Sequence, residues 1–137
     1  GWVPPFGALI CYEVIFPALV ARDSAAAQVM INVTNDAWFG NTAGPYQHFR
    51  QAQIRSVENG LPLLRAANTG VSGIVEQHGI VVDALAVNAQ GVIDARLPVY
   101  LAETIDYDQR RIIGIIVVLV LVTTALVVNV RQSLQSN

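Results

Sequence analysis

Residues 6–33 decide the fold and read FGALICYEVIFPALVARDSAAAQVMINV. The first five of them form a short apolar run that is typical of a buried strand. Pro17 suits the first turn of a helix, which we expect to continue to about Ala27. Residues 28–33 are apolar and β-branched, which predicts a second buried strand. Strand, helix and strand in so short a stretch predict a right-handed βαβ unit with parallel strands.

The sequence that follows predicts the rest of a mixed sheet. Residues 34–44 are rich in Asn, Asp and Gly, which indicates a long loop, and long ordered loops often carry function. Pro45 opens a helix that runs to about Asn59, with Gly60 as its stop. The predicted strands beyond it are a third strand at 63–67, a hairpin of 71–76 and 80–87, and a further strand at 91–98.

Composition and the end of the chain point to a membrane. The chain has 137 residues, of which 53 % are hydrophobic and 13 % charged, against a usual charged share of about 25 %. Residues 112–130 read IIGIIVVLVLVTTALVVNV, an uncharged run that as a helix would cross a bilayer core of about 30 Å. The alternative is a buried core strand or helix. We predict a domain over 1–108, a transmembrane helix over 109–131 and a short tail over 132–137.

The charged residues and histidines exclude several function classes. A net charge of −2 excludes the basic footprint of a nucleic-acid-binding protein. All eight basic residues are arginine, so this chain supplies no catalytic lysine. His48 and His78 lack metal-ligand spacing, so we expect no metal and no cofactor, and His78 is predicted to lie in a turn. Arg110, Arg111 and Arg131 flank the apolar run, and the positive-inside rule applied to them alone would place the domain in the cytoplasm.

Cys11 is the candidate nucleophile. It follows the first predicted strand directly, and catalytic groups of α/β sheets gather at that edge. The backbone N–H of Tyr12 would point into the same space, where it could stabilise an oxyanion. The alternative for Cys11 is a small buried hydrophobe, the commonest fate of a free cysteine. As the only cysteine of the chain, it excludes an internal disulfide and a cysteine-rich zinc site.

Three further residues are candidates for the same site. If the strand continues, Glu13 shares a face with Cys11 and could orient it or relay a proton, although a carboxylate would disfavour the thiolate. The alternative for Glu13 is an ion pair with an arginine such as Arg22. Trp38 and Phe39 lie in the long loop, where they line an acyl-chain pocket, touch the bilayer surface or plug the core.

Five polar residues are assigned structural roles. Asn35 and Asp36 are expected to cap and brace a turn. Arg55 and Glu58, at i and i+3 on one helix, are expected to form an ion pair. Asn32 begins a glycosylation sequon, but its place on a predicted buried strand argues against modification.

Several motifs in order resemble one known family. Residues 10–17, ICYEVIFP, resemble the nucleophile segment of the nitrilase superfamily, and NDAWFG at 35–40 follows at the expected interval. Gly44-Pro45, Gln47-His48, RSVENG at 55–60 and RAANTG at 65–70 come next. Together with the apolar run, this combination resembles the apolipoprotein N-acyltransferases of bacterial inner membranes. The resemblance covers residues 6 to about 98.

The resemblance implies an αββα sandwich and a Glu-Lys-Cys triad. Cys11 matches the nucleophile, Glu13 matches a supporting position, and Trp38 and Phe39 match the loop that follows. It implies that Cys11 takes an acyl chain from a phospholipid as a thioester and passes it to the diacylglyceryl-cysteine of a lipoprotein. It also implies a multi-pass protein of the inner membrane with this domain in the periplasm. We follow the family here, against the arginine count.

In that family the Glu and Lys of the triad lie upstream of the cysteine, so the chain matches a C-terminal fragment that we expect to be inactive alone. Two alternatives remain. Another nitrilase-type amidase would be soluble, which residues 112–130 argue against. A non-catalytic, tail-anchored domain would keep Cys11 in its core, which the ordered motifs argue against.

Overall fold

A computed structural model describes residues 3–101 and 107–135 of the chain. The chain divides into two compact units, Gly1–Thr104 and Ile105–Asn137. The first contains a five-stranded sheet with its helices, and the second contains one long helix.

The sheet combines a parallel half with an antiparallel half. Its strands lie side by side in chain order: β1 (Phe6–Ile10), β2 (Val29–Asn35), β3 (Leu63–Asn68), β4 (Ser72–Val75) and β5 (Val81–Leu85). The first three strands are parallel, and β4 pairs antiparallel with both β3 and β5. The predicted parallel strands, the third strand and the hairpin are therefore confirmed, and the fold class is α/β as predicted.

Two helices connect the parallel strands. The first, α1 (Pro17–Asp23), begins at the predicted proline but ends short of residue 27. It ends there because the chain turns at Ser24, whose carbonyl accepts the Ala27 N–H at 3.0 Å. The second, α2 (Gly44–Asn59), matches its prediction to within one residue. Gly60 closes α2 in the left-handed conformation, at φ 63°, which glycine adopts without a steric penalty.

The core lies on one face of the sheet. Leu9 on β1, Met30 on β2 and Leu63 on β3 point to this face and are fully buried, and Met30 and Leu63 are direct neighbours in the register. Side chains that pack with them come from β4, both connecting helices and the segments beside them: Val14, Val20, Ala52, Leu61 and Val75. Within residues 3–101 the opposite face keeps Phe6 and Val33 about half exposed. One sheet with helices on one face is half of the αββα sandwich that the resemblance implies.

The further strand predicted at 91–98 is wrong. These residues are irregular, and the last described strand pairing ends with β5. A turn follows β5, in which the Ala89 N–H donates to the Ala86 carbonyl at 3.0 Å and Asn88 has a φ of 64°. Apolar composition makes a strand only where a partner strand is available. Val92, at 92 % exposure, shows that the apolar residues here do not mark burial.

The second unit is the helix α3 (Tyr107–Gln135). Its segment Asp108–Asn129 has a mean hydropathy of 2.8 and is long and apolar enough to cross a membrane. None of its most apolar stretch is buried by the residues described. The hydroxyls of Thr123 and Thr124 donate back to the Leu119 and Val120 carbonyls, at 2.9 and 2.7 Å, so neither needs water as an acceptor.

Candidate active site

Cys11 lies directly beyond the carboxyl end of β1. It is the first residue of a short 3₁₀ helix, Cys11–Ile15, and its side chain is partly exposed. Its φ is +51°, in the left-handed region that a residue with a Cβ rarely adopts. Such a conformation costs about 1–3 kcal/mol and persists only where the surroundings enforce it. Tyr12 is the second residue of the 3₁₀ helix, where a backbone N–H has no acceptor within the helix.

Glu13 supports the turn that carries Cys11. The strand does not continue past Ile10, so the expectation that Glu13 and Cys11 share a strand face is wrong. Instead, the Glu13 carboxylate accepts the Ile10 N–H at 2.6 Å. The alternative ion pair with Arg22 is also wrong, because Arg22 pairs with the neighbouring Asp23 at 2.7 Å. A carboxylate that bonds the backbone one residue before Cys11 acts as a support of the turn.

Trp38 and Phe39 form an aromatic cluster with Tyr12. The two loop residues belong to a second 3₁₀ helix, Ala37–Phe39, and their rings stack with centroids 4.2 Å apart. The Tyr12 ring lies 5.8 Å from Trp38 and 6.3 Å from Phe39. Trp38 is 65 % exposed, so the interpretation of this residue as a core plug is wrong. The aromatic cluster places apolar surface next to the residue that follows Cys11.

A pocket of about 310 Å³ adjoins the aromatic cluster. Tyr12 and Phe39 line it together with three polar side chains of α2: Gln47, His48 and Gln51. The pocket therefore combines ring faces with hydrogen-bonding groups, an arrangement suited to an amphipathic ligand.

Beneath the site lies a buried polar cluster, made of Asn32, Asp36, His48 and Arg65. The Arg65 guanidinium donates to the Asp36 carboxylate at 2.9 Å and to the side-chain oxygen of Asn32. Asp36 also bonds the His48 Nδ1 at 2.8 Å. All four residues are at least nine-tenths buried. The Asn32 amide donates to the carbonyls of Leu9 at 3.0 Å and Cys11 at 3.4 Å, which links the cluster to the candidate nucleophile.

Burial sets the protonation of this cluster. Desolvation lowers the pKa of His48, an effect that the Asp36 hydrogen bond opposes and the charge of Arg65 reinforces. His48 is therefore neutral at neutral pH. Its Nδ1 lies 2.8 Å from the Asp36 carboxylate and 3.0 Å from the Arg65 guanidinium, and the carboxylate contact is a hydrogen bond in the tautomer that carries the proton on Nδ1. Desolvation also lowers the pKa of Arg65, and Asp36 counteracts that shift. Since an arginine stays charged throughout the physiological range, Arg65 and Asp36 form a buried ion pair.

Sequence analysis missed most of the buried polar cluster. Asp36 had been assigned to bracing a turn, and the other three members had no role in the site. Their signal was available: Asn32 and Arg65 are polar residues inside otherwise apolar strands. The register Asn32↔Arg65 brings them together on the helix-packed face, and that register cannot be inferred from the sequence of either strand.

The remaining assignments agree with the structure. Arg55 and Glu58 form the predicted ion pair at 2.9 Å, and His78 lies in the turn before β5. Asn35 braces its turn by accepting the Ala37 N–H at 3.1 Å.

The chain belongs to the carbon-nitrogen hydrolase family, whose family model matches residues 2–107. It is similar to the apolipoprotein N-acyltransferase of Brucella melitensis, with 60 % identity over 90 residues, 66 % of this chain and 17 % of that protein. The same enzyme of Rhizobium rhizogenes is 50 % identical over 113 residues, 79 % of this chain and 21 % of that protein. The chain thus spans about a fifth of the length of these curated relatives.

Solved structures of the nitrilase superfamily share the fold. An amidase from Nesterenkonia matches with a TM-score of 0.51 and 27 % identity, over 64 % of this chain and 39 % of that one. A variant of this amidase with the acetamide moiety of fluoroacetamide added covalently at its active-site cysteine matches with a TM-score of 0.50 and 28 % identity, over 64 % of this chain and 38 % of that one. Family and fold therefore agree with the resemblance seen in the motifs.

Proposed function

We propose that this chain is the nucleophile-bearing part of an apolipoprotein N-acyltransferase. The observation that carries the proposal is the placement of Cys11, partly exposed at the carboxyl end of β1 and beside the aromatic cluster. The names of the curated relatives support the same activity. The active-site cysteine of the Nesterenkonia amidase, to which the acetamide moiety of fluoroacetamide is added covalently, supports the nucleophilic role of Cys11.

In the first half-reaction the Cys11 thiolate attacks the carbonyl carbon of a phospholipid ester. The C–S bond forms, the ester C–O bond breaks, and the lysophospholipid alkoxide leaves with a proton from the general acid. The Tyr12 N–H stabilises the oxyanion of the tetrahedral intermediate. The product is a thioester, as in other covalent acyl transfer by cysteine.

In the second half-reaction the α-amino group of a diacylglyceryl-cysteine attacks the thioester carbonyl. The C–N bond forms, the C–S bond breaks, and the amine proton passes to the general base while Cys11 is regenerated. The Lys of the triad comes from outside residues 1–137, because this chain contains no lysine, and the family resemblance implies that the base Glu also lies upstream of Cys11. Residues 1–137 alone are therefore inactive.

The acyl donor reaches Cys11 from the bilayer along an apolar path. We assign that path to Trp38 and Phe39, whose stacked rings lie next to Tyr12. The segment Asp108–Asn129 spans the inner membrane, and the full-length protein is multi-pass with this domain on the periplasmic side. Its partners are the phospholipid donor, the apolipoprotein acceptor and the membrane.

The test is to incubate the full-length protein with phospholipid and to map the acylated peptide by mass spectrometry. We expect one acyl group on Cys11, none in Cys11→Ala, and almost none in Cys11→Ser, because a hydroxyl ionises far less readily than a thiol. Acylation that persists in Cys11→Ala would refute the proposal. Hydrolysis of small amides without transfer from phospholipid would instead favour the amidase alternative.

The membrane assignment has a separate test. The 137-residue chain should sediment with membranes and resist carbonate extraction, whereas truncation after Asp108 should weaken its retention. Recovery of the untruncated chain in the soluble fraction would contradict a spanning helix.

A further inference from the structure

We propose that Asn32 is a positioning residue for the Cys11 nucleophile, held in place by Arg65, Asp36 and His48. This inference rests on the proposed role of Cys11 and adds a role for the buried polar cluster beneath it. Cys11 needs such a support because its left-handed backbone, at φ +51°, is disfavoured unless its surroundings hold it.

Asn32 bonds the backbone on either side of the strand end. Its amide nitrogen donates to the Leu9 carbonyl at 3.0 Å, inside β1, and to the Cys11 carbonyl at 3.4 Å, beyond the end of β1. One rigid amide therefore spans the point at which the strand becomes a 3₁₀ helix. The Asn32 side chain is fully buried, and its bond to the Leu9 carbonyl lies in the protein interior.

The chemistry of its neighbours requires an asparagine at this position. Two backbone carbonyls on one side need a donor, and the Arg65 guanidinium on the other side, which only donates, needs an acceptor. A carboxylate at residue 32 could not donate to the two backbone carbonyls, because all three groups are acceptors. Only an amide of this length presents a donor and an acceptor to these two sides.

Arg65 fixes the orientation of that amide. Besides Asn32, it donates to the Asp36 carboxylate at 2.9 Å and through Nε to the Val71 carbonyl at 3.3 Å. Asp36 is held in turn by His48 at 2.8 Å and by the Thr34 hydroxyl at 3.1 Å. The guanidinium is therefore held in one position. Its bond to Asn32 fixes the orientation of the amide that donates to the Cys11 carbonyl.

The decisive variant is Asn32→Asp in the full-length protein, with Asn59→Asp as the matched control. Both replace an amide that donates to a backbone carbonyl, since Asn59 donates to the Arg55 carbonyl at 2.8 Å. Among the described residues, Asn59 has no hydrogen bond to Cys11. Acyl-enzyme formation is followed in single turnover over a range of phospholipid concentrations. Thermal unfolding of both variants reports the folded fraction.

We expect the saturating acylation rate of Asn32→Asp to fall about tenfold or more, because small displacements of a nucleophile slow reaction steeply. The half-saturating phospholipid concentration should stay within about twofold of wild type, since no lipid contact is changed. Asn59→Asp should lose stability but keep both parameters. A folded Asn32→Asp protein that is acylated at the wild-type rate would overturn the proposal, as would an equal rate loss in Asn59→Asp.

Two further measurements keep the outcome decisive. If Asn32→Asp does not accumulate, Arg65→Lys takes its place, because an ammonium cannot bond Asn32, Asp36 and Val71 in one fixed geometry. A wild-type saturating rate in that variant would overturn the proposal. If wild type is not acylated by phospholipid at all, the proposed function fails. The rate at which iodoacetamide alkylates Cys11 then still tests the role of Asn32. We expect this rate to be lower in Asn32→Asp than in Asn59→Asp, and equal rates would overturn the proposal.

Discussion

The two clusters beside Cys11 are built on opposite principles. The aromatic cluster of Tyr12, Trp38 and Phe39 is open to solvent, with Trp38 at 65 % exposure, and its contacts are ring faces that do not fix one geometry. The buried polar cluster is closed to solvent and each of its bonds is directional. The difference fits the two roles that we propose, in which the aromatic cluster receives the ligand and the buried polar cluster holds the backbone of Cys11.

Arg65→Met is expected to have the largest effect, because it breaks the buried polar cluster and leaves the Asp36 carboxylate without its cation. Removing one partner of a buried ion pair typically lowers the free energy of unfolding by about 3–5 kcal/mol. Denaturant unfolding of the full-length protein measures this loss in the free energy of unfolding. The control is Arg55→Met, whose partner Glu58 keeps 34 % of its side chain exposed to water. Equal losses of stability in the two variants would show that the buried polar cluster stabilises the fold no more than the partly exposed Arg55–Glu58 pair does.

The double variant Trp38→Ala, Phe39→Ala tests the other side of the comparison. Each lost ring is expected to weaken phospholipid binding by about 1–3 kcal/mol, the scale for burying one such side chain. Iodoacetamide should still modify Cys11 at a similar rate, and the thermal midpoint should change little. A lower midpoint with both rates reduced together would mean that the aromatic cluster supports the fold instead. Unchanged phospholipid turnover would remove it from the mechanism.

Gly70→Ala disturbs the buried polar cluster without removing any of its members. A Cβ at residue 70 would collide with the Asp36 carboxylate, whose position is already fixed by Arg65 and His48. Overpacking of this kind is expected to lower the free energy of unfolding by about 1–3 kcal/mol. The control is Gly114→Ala in α3, where a Cβ meets no atom within 4 Å. Comparable midpoints for Gly70→Ala and wild type would mean that Asp36 can move freely.

The pH dependence of stability should carry a small contribution from His48. Its pKa is lowered by burial in the folded protein, so between that value and the unfolded pKa of about 6.5 the unfolded chain binds more protons. This contribution is therefore fully present above about pH 6.5 and is lost as the pH falls toward the folded pKa. Thermal midpoints measured between pH 5 and 7.5 should rise more steeply for wild type than for His48→Gln. Parallel profiles would contradict the assignment.

Local patterns were enough to predict most of the fold. The apolar run before Cys11, the proline at residue 17 and the Gly60 stop each act within a few residues, and each marked an element correctly. The strand predicted at 91–98 failed because strand formation depends on a partner, which no local pattern reveals. Glu13 was placed on the wrong element for a related reason, since the switch from strand to 3₁₀ helix leaves no clear mark in ICYEVI.

The candidate site was predictable only in its surface layer. Cys11, Trp38 and Phe39 are conspicuous by residue type and by the motifs they belong to. Asn32 and Arg65 acquire their role from strand register, and His48 acquires its role from the packing of α2 against the sheet. Those are tertiary facts, so the second layer of the site became visible only in the structure.

The left-handed backbone of Cys11 sets catalysis against thermostability. Glycine would adopt a φ of +51° freely, so selection for stability alone would replace Cys11 by glycine, which has no side chain to react. The free energy of unfolding should therefore be about 1 kcal/mol higher for Cys11→Gly than for Cys11→Ala, although both variants lack the thiol. In the role that we propose, Cys11 keeps a disfavoured backbone conformation that a single substitution to glycine would relieve if the thiol were not needed.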